Sequence, residues 1–196
     1  MPSETDLANL ALVEFCGADA ITALSDGTDR ARTVSRALAG VVRAVQRRYG
    51  WGECKTRARL SRLDETPAFG FAFYYQIPAG WLRTISVHGD EAGRAPIRYS
   101  MERGRIATDA DAVYLVYLAH EPDPNAWDPV LYRLTGCELA YAIVERVTQS
   151  SDKKQEIERE LRRLRLAAPA IDAVEDFPES RPTSPWVSAR RGRGGH

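Results

Sequence analysis

The chain has few cysteines, few histidines and no excess of either charge. Its 196 residues include 27 basic and 27 acidic side chains, and this balance argues against a dedicated duplex-binding protein, whose affinity comes mainly from neutralising phosphates. Cys16, Cys54 and Cys137 are odd in number and lack CxxC spacing, so they predict buried thiols rather than disulfides or a zinc site. The length predicts one domain, or one domain with an appendage, that can bury a core.

Targeting and membrane segments are also missing. The N-terminus, MPSETDLANL, has no basic region followed by an apolar one. No run approaches the roughly eighteen consecutive apolar residues that a membrane span requires. We therefore expect a soluble protein that is made in a reducing cytoplasm and does not bind a membrane.

No common catalytic motif is present. The sequence lacks GxxxxGK[ST], HExxH, GxSxG and a GxGxxG after a strand, which removes the usual nucleotide, zinc and serine hydrolase signatures. His88 and His120 end predicted strands without a ligand at metal spacing, and His196 is terminal. Asp109 and Asp111 lie in a TDAD turn and are interpreted as turn formers. The expectation is a non-enzyme with no catalytic residue, cofactor or metal.

Two helices are predicted near the N-terminus. Ser3 and Asp6 form a capping-box pattern at the start of a short helix that ends near Gly17. A longer helix is predicted from about 29 to 48, with Thr28 as its cap. Four arginines share the polar side of this second helix, and they indicate either an ordinary solvated face or a secondary binding surface: Arg32, Arg36, Arg43 and Arg47.

Two more helices are predicted near the C-terminus. Asp128 followed by Pro129 is a strong helix start, because the aspartate accepts the free amides of the first turn and the proline has no amide to satisfy. The apolar surface of this third helix is broad and predicts a central position. The last helix is predicted over 151–168, ending before Pro169.

The middle of the chain has the two-residue period of strands. Six strands are predicted near 56–63, 70–77, 83–88, 96–101, 104–108 and 112–119. Arg103-Gly104 predicts a hairpin tip, and AVYLVYLAH at 112–120 is apolar on both faces, as in a central strand. The predicted fold class is α+β: a helical bundle of two N-terminal and two C-terminal helices with an inserted antiparallel β region and an extended C-terminal tail. The predicted segments are 1–50, 51–120, 121–176 and 177–196.

An unusually aromatic stretch, FGFAFYYQIPAGW, occupies residues 69–81. In an extended strand, alternation would place one set of its side chains on a single face: Phe69, Phe71, Phe73, Tyr75 and Ile77. A core, a ligand pocket or a subunit interface would each use such a face. The tail, FPESRPTSPWVSARRGRGGH, contains three prolines and four arginines around one tryptophan. It cannot form its own core, so we expect Trp186 to dock elsewhere.

The order of several segments resembles that of a known family. These segments are GADAITALSDGTDRAR, RRYGW, FGFAFYYQIPAGWLR, GRIATDAD, VYLVYLAHEPDPNAWDPV, CELAYAIVERVT and SPWVSARR. Together they resemble tail tubular protein A, the head-to-tail adaptor or connector of short-tailed bacteriophages, over nearly the whole chain. The resemblance implies a structural virion protein at the phage neck, made in the host cytoplasm.

The resemblance also implies partners. It implies a homo-oligomeric ring, similar to a dodecamer, between the portal protein and the tail nozzle protein, with genomic DNA passing through its channel without sequence-specific binding. Tyr74 and Trp81 are predicted at the subunit interface. Trp186 is predicted to fill a crevice of the portal, with Arg190 and Arg191 beside acidic groups.

The sequence also allows two interpretations other than the adaptor. One alternative is a cytoplasmic nucleic-acid-binding regulator that uses the arginine-rich helix face and the basic tail. Another is a small enzyme with a pocket lined by Phe71, Tyr75 and Trp81. For the adaptor, the β-region loops at 89–94 and 102–105 are predicted to face the nozzle, because their tips are short and polar.

Overall fold

The computed structural model describes residues 2–175 of the chain. The described part contains four α-helices and two three-stranded antiparallel sheets, which confirms the predicted α+β class. The predictions made for the tail, 177–196, lie outside the described residues.

The first helix begins at its predicted cap. Helix α1 spans Glu4–Asn9 and continues as a π-helical segment, Leu10–Phe15. The Ser3 hydroxyl accepts the amide of Asp6 at 3.2 Å, while the Asp6 carboxylate accepts the amide of Ser3 at 2.8 Å. Each side chain therefore satisfies an amide that the first turn leaves free. The helix ends at Gly17, whose φ of 67° suits a residue without a side chain.

Helices α2 and α3 also begin where capping chemistry places them. Helix α2 spans Asp29–Arg48, and the Thr28 hydroxyl accepts the amide of Ala31 at 3.1 Å. Helix α3 spans Pro129–Thr148 and follows the Asp128 cap. It packs against α1, the π-helical segment, α2 and the last helix, which confirms its central position.

The last helix is longer than the sequence predicts. Helix α4 spans Ser151–Glu175, so the predicted end before Pro169 is wrong. An interior proline removes the amide that would bond to the carbonyl of Arg165. The residues on both sides of this proline read LRLAA and AIDAV, and alanine and leucine are strong helix formers that favour continuation.

The β region forms two sheets that share one core. The strands are β1 (Lys55–Arg59), β2 (Phe73–Gln76), β3 (Trp81–His88), β4 (Ser100–Glu102), β5 (Arg105–Thr108) and β6 (Tyr114–Ala119). The first sheet has the order β1-β6-β3 and the second has the order β2-β5-β4. Strand β6 is central, as predicted. Arg103 and Gly104, with φ of 49° and 77°, form the predicted hairpin tip between β4 and β5.

Three predicted strands extend three or more residues beyond the observed ones. Residues 60–63, 70–72 and 96–99 lie outside the strands. Around 61–63 the chain runs beside β2 and makes two backbone hydrogen bonds to it, from Leu63 to Tyr74 and from Gln76 to Ser61. Gly70 has a φ of 86°, which ends the extended conformation. Pro96 makes only an isolated bridge to His88, because a proline has no amide for the ladder.

Strand β6 joins two hydrophobic cores. Leu118 belongs to the helical core, together with Leu82 of β3 and residues of all four helices. Leu115 and Tyr117 belong to a second core between the two sheets. The apolar character of both faces of β6 therefore reflects burial against the bundle on one side and against the second sheet on the other.

Candidate interaction surfaces

The aromatic row at 69–77 divides into a buried part and an exposed part. Tyr75 and Ile77 lie in the core between the sheets, exposed by 1% and 7%. Phe69 is exposed by 89%, because the strand begins only at Phe73 and the turn at Gly70 intervenes. The single-face interpretation is thus right for 73–77 and wrong for Phe69.

Tyr75 is a core residue. Its hydroxyl donates to the carbonyl of Ala110 at 2.8 Å, and burial raises the pKa of its phenol. Phe71 is half-buried, and the Arg98 guanidinium lies 5.1 Å from its ring. These contacts give Tyr75 a packing role rather than the pocket-lining role in the enzyme hypothesis.

Tyr74 lies on the opposite face of β2 in a charged cluster. Its hydroxyl donates to the Glu102 carboxylate at 2.7 Å, and this bond raises the pKa of the phenol. The Arg105 guanidinium lies 5.4 Å from the ring and pairs with Glu65 at 2.6 Å. With Arg103, these groups line a cavity of about 400 Å³. The predicted interface tyrosine is therefore half-buried within its own subunit.

Trp81 begins β3 in the other sheet. Its indole nitrogen donates to the Thr84 hydroxyl at 3.2 Å, and the Arg47 guanidinium lies 5.6 Å from its ring. The side chain packs at the edge of the core between the sheets. The two predicted interface residues, Tyr74 and Trp81, are thus on different sheets, and each has an arginine over its ring.

The arginine stripe of α2 is partly structural. Arg32 binds Asp29 at 2.5 Å and the carbonyl of Gly27 at 2.8 Å. Arg47 donates to the carbonyl of Leu82, which links α2 to β3. Within residues 2–175, Arg36 and Arg43 make no ion pair. Only these two are left for the secondary basic face.

His120 belongs to a polar junction between α2 and the end of β6. Its Nδ1 lies 2.7 Å from Oε1 of Gln46, a fully buried side chain whose Nε2 donates to the carbonyl of Glu121 at 2.8 Å. Burial and the charge of Arg43 lower the pKa of His120. These contacts account for His120 structurally.

His88 and Asp109 also have local partners. The His88 Nε2 lies 2.8 Å from the Ser86 hydroxyl. Asp109 accepts the amide of Ala72 at 2.9 Å and so connects β5 to the loop before β2. The three cysteines are buried, and burial raises the pKa of Cys16 to about 11 and those of Cys54 and Cys137 to about 12.

The β region carries most of the large exposed apolar side chains of the described chain. Besides Phe69, these are Ile85, Tyr99 and Met101, which are exposed by 43%, 38% and 38%. The predicted nozzle-facing loops at 89–94 and 102–105 carry exposed tips in the same region. Sequence reasoning did not single out Ile85, Tyr99 or Met101, since alternation alone does not say which face of a strand is covered.

A second surface lies on the outward side of the β1-β6-β3 sheet. We call it the basic sheet face and define it by Lys55, Arg57, Arg59 and Arg83 around Val116 and Tyr114. The strands pair Arg57 with Val116, Arg59 with Tyr114, and both Lys55 and Arg83 with Leu118. Directly paired residues lie on the same face. The sequence signal is the alternation in KTRAR, but it does not show that Arg83 joins the same face.

Residues 2–175 were also compared with the requirements of a metal site and of a membrane-spanning helix. Within 2–175, no group of three or more His, Cys, Asp or Glu side chains is placed to hold a metal ion. None of the helices in this range combines the length and apolar character needed to cross a bilayer. Comparison of the sequence with protein-family models finds no match, and comparison with curated proteins also finds none.

Proposed function

We propose that this protein is a structural virion protein, the ring-shaped adaptor between the capsid portal and the tail nozzle of a short-tailed bacteriophage. Its role is symmetric docking and continuation of the DNA channel, without catalysis. The observation that carries the proposal is the set of large apolar side chains that the β region exposes, together with the order of sequence segments that resembles tail tubular protein A.

The exposed apolar side chains suit a lateral contact between copies. Interfaces are enriched in aromatic residues and methionine at their centres, and Phe69, Tyr99 and Met101 are of these types. A ring requires a heterologous contact in which one patch meets a different patch on the next copy. An exposed phenylalanine on a loop is suited to be the anchor of such a contact, because it buries a large apolar area on docking.

Electron microscopy of the purified protein, with and without the portal protein of the same phage, tests the proposal. We expect rings of the adaptor to form on the portal, with the dodecameric symmetry that the resemblance implies. A monomer in isolation agrees with the proposal, because an interface that closes only on a template avoids premature assembly. Failure to bind the portal in any form would contradict it.

A matched pair of variants tests the role of the β-region surface. We expect Phe69→Ser combined with Met101→Ser to abolish rings on the portal while leaving circular dichroism unchanged, since both side chains are exposed. Leu166→Ser is the control, because Leu166 is 82% exposed but lies on α4, outside the β region. Normal rings from the double variant would remove this surface from the proposal.

The tail supplies the proposed contact with the portal. Trp186 would fill a crevice between portal subunits, and Arg190 and Arg191 would meet carboxylates beside it. We expect deletion of residues 179–196 to leave melting nearly unchanged and to abolish co-sedimentation with portal-bearing capsids. Binding at wild-type strength by the truncated protein would instead assign portal docking to the helices, with the α2 arginine stripe as the first candidate.

A further inference from the structure

We propose that the basic sheet face binds the phosphate backbone of double-stranded nucleic acid without reading its sequence. This surface differs from the helix stripe and from the tail. The proposal depends only on the β1-β6-β3 sheet and not on ring formation. Duplex binding by the free monomer through this face would therefore support it.

The side chains of the basic sheet face point away from the core between the sheets. Ala58 and Leu115 are paired, and both pack in the core between the sheets. Because successive side chains of a strand point to opposite faces, Arg57 and Arg59 point away from that core. Tyr114 and Val116 of the central strand do the same.

One end of this face is covered by the helices and the other is open to solvent. The bundle covers its lower end, where Leu118 lies in the helical core. Toward the other end Arg57 and Arg59 are exposed, and Tyr114 and Val116 are partly exposed. Lys55 and Arg83 pair with Leu118 at the covered end, and Arg83 Nη1 donates to the carbonyl of Arg48 at 3.4 Å. The open part of the face is therefore the end that carries Arg57 and Arg59.

The basic sheet face carries positive charge. The three strands contain four cationic side chains and no aspartate or glutamate. Arg57, Arg59 and Arg83 make no ion pair with a carboxylate of the described residues, whereas many arginines elsewhere are paired, such as Arg105 with Glu65. The exposed guanidinium groups of Arg57 and Arg59, with Arg83 across the sheet, attract a polyanion.

The spacing of the arginines suits a nucleic-acid backbone. Alternate residues of a strand stand about 7 Å apart and the two outer strands about 10 Å apart, so Arg57 and Arg59 form a short row on β1 and Arg83 stands across the sheet from it. Each strand of a duplex presents a phosphate about every 3.4 Å along its axis, which provides acceptors at this spacing. Arginine binds phosphate in bidentate geometry, and the Arg59 guanidinium is already placed over the Tyr114 ring, 5.8 Å away.

Fluorescence anisotropy with a labelled duplex of about 20 base pairs and random sequence, at salt concentrations from about 50 to 200 mM, tests the proposal. The full chain is compared with Arg57→Ala/Arg59→Ala. Each phosphate contact contributes about 0.9 to the slope of log affinity against log salt, so we expect a slope shallower by about 1.8 and affinity about 60-fold lower at 0.1 M salt. The loss should be the same for every sequence.

Three further variants separate backbone binding from net charge and from folding. Arg146→Ala/Arg159→Ala removes the same charge from exposed positions outside the sheet and outside the α2 stripe, and we expect it to retain the wild-type slope. Arg83→Ala alone should make the slope shallower by about 0.9, which provides a test if the first double variant fails to fold. Arg57→Lys/Arg59→Lys keeps both charges and should keep most of the slope.

Several results would overturn the proposal. An unchanged slope in Arg57→Ala/Arg59→Ala and in Arg83→Ala would remove the face from nucleic-acid binding. Equal losses in the Arg146→Ala/Arg159→Ala control would show that net charge alone is responsible. Labelled poly-glutamate bound as tightly as the duplex, through the same arginines, would make the partner an acidic polypeptide. Anisotropy on the free protein does not depend on ring formation, so failure here and failure of the adaptor proposal are separate results.

Discussion

Substitution of Gly136 by alanine is expected to destabilise the protein, although alanine is the better helix former. Gly136 is buried in α3, where an added methyl group would meet the side chain of Leu10 on the π-helical segment. An ideal Cβ at this position would lie 2.5 Å from Leu10 Cδ2 and 3.0 Å from Leu10 Cγ. The glycine therefore allows the first helix to approach the central helix closely.

The expected magnitude follows from two opposing contributions. Replacing glycine by alanine in a helix interior stabilises by about 1 kcal/mol. Carbon atoms prefer separations of about 3.5 to 4.0 Å, so Leu10 must shift by roughly 1 Å, and overpacking of this kind costs about 1 to 3 kcal/mol. With a cost of about 2 kcal/mol, the net destabilisation is about 1 kcal/mol, and the melting temperature falls by about 3 °C for a chain of this size.

Gly40 provides a matched control within the same protein. It lies in the interior of α2, is exposed, and has no neighbouring atom within 4 Å of an added Cβ. Gly40→Ala should therefore stabilise by about 1 kcal/mol, which separates the two variants by about 2 kcal/mol. Urea unfolding followed by circular dichroism measures both.

A double variant isolates the contact. In a Leu10→Ala background the obstruction is removed, and Gly136→Ala should become stabilising by about 1 kcal/mol. If Gly136→Ala raises the urea midpoint of the otherwise wild-type protein as Gly40→Ala does, the close approach of the two helices has no energetic consequence and the reasoning fails.

Three further predictions concern buried polar groups and thiols. Burial lowers the pKa of His120 below the ordinary value of 6.5, so the unfolded chain binds a proton more readily than the folded protein does. The free energy of unfolding should therefore fall as the pH drops below about 6.5. His120→Asn should reduce this pH dependence, which urea midpoints at neutral and mildly acidic pH would measure. Gln46→Leu leaves the hydrogen-bond partners of this side chain unsatisfied and should lower the free energy of unfolding by about 1 to 3 kcal/mol. A urea midpoint within error of wild type would show that these hydrogen bonds do not stabilise the fold. A thiol reagent at mildly alkaline pH should react with Cys16, Cys54 and Cys137 only after denaturation, because burial raises their pKa values. Rapid reaction of the native protein would contradict their burial.

Local chemistry determined the parts of the fold that the sequence predicts best. The starts of α1, α2 and α3 follow from caps at Ser3, Thr28 and Asp128, because a side-chain oxygen three or fewer residues from a free amide needs no distant partner. Strand β6 was identified as central because it is apolar on both faces. The hairpin at Arg103-Gly104 was predicted because turn residues act over a few positions.

Only the tertiary structure decided which of the chemically similar residues are available to a partner. Phe69 and Tyr75 share one alternating pattern, but the backbone turn at Gly70 exposes the first, and packing between the sheets buries the second. Arg36 and Arg47 share one helix face, but Arg47 is bonded to β3. The basic sheet face depends on strand register, which places Arg83 on the same side as Arg57. Register and burial arise from contacts between segments that are far apart in the chain. The local sequence pattern does not determine those contacts.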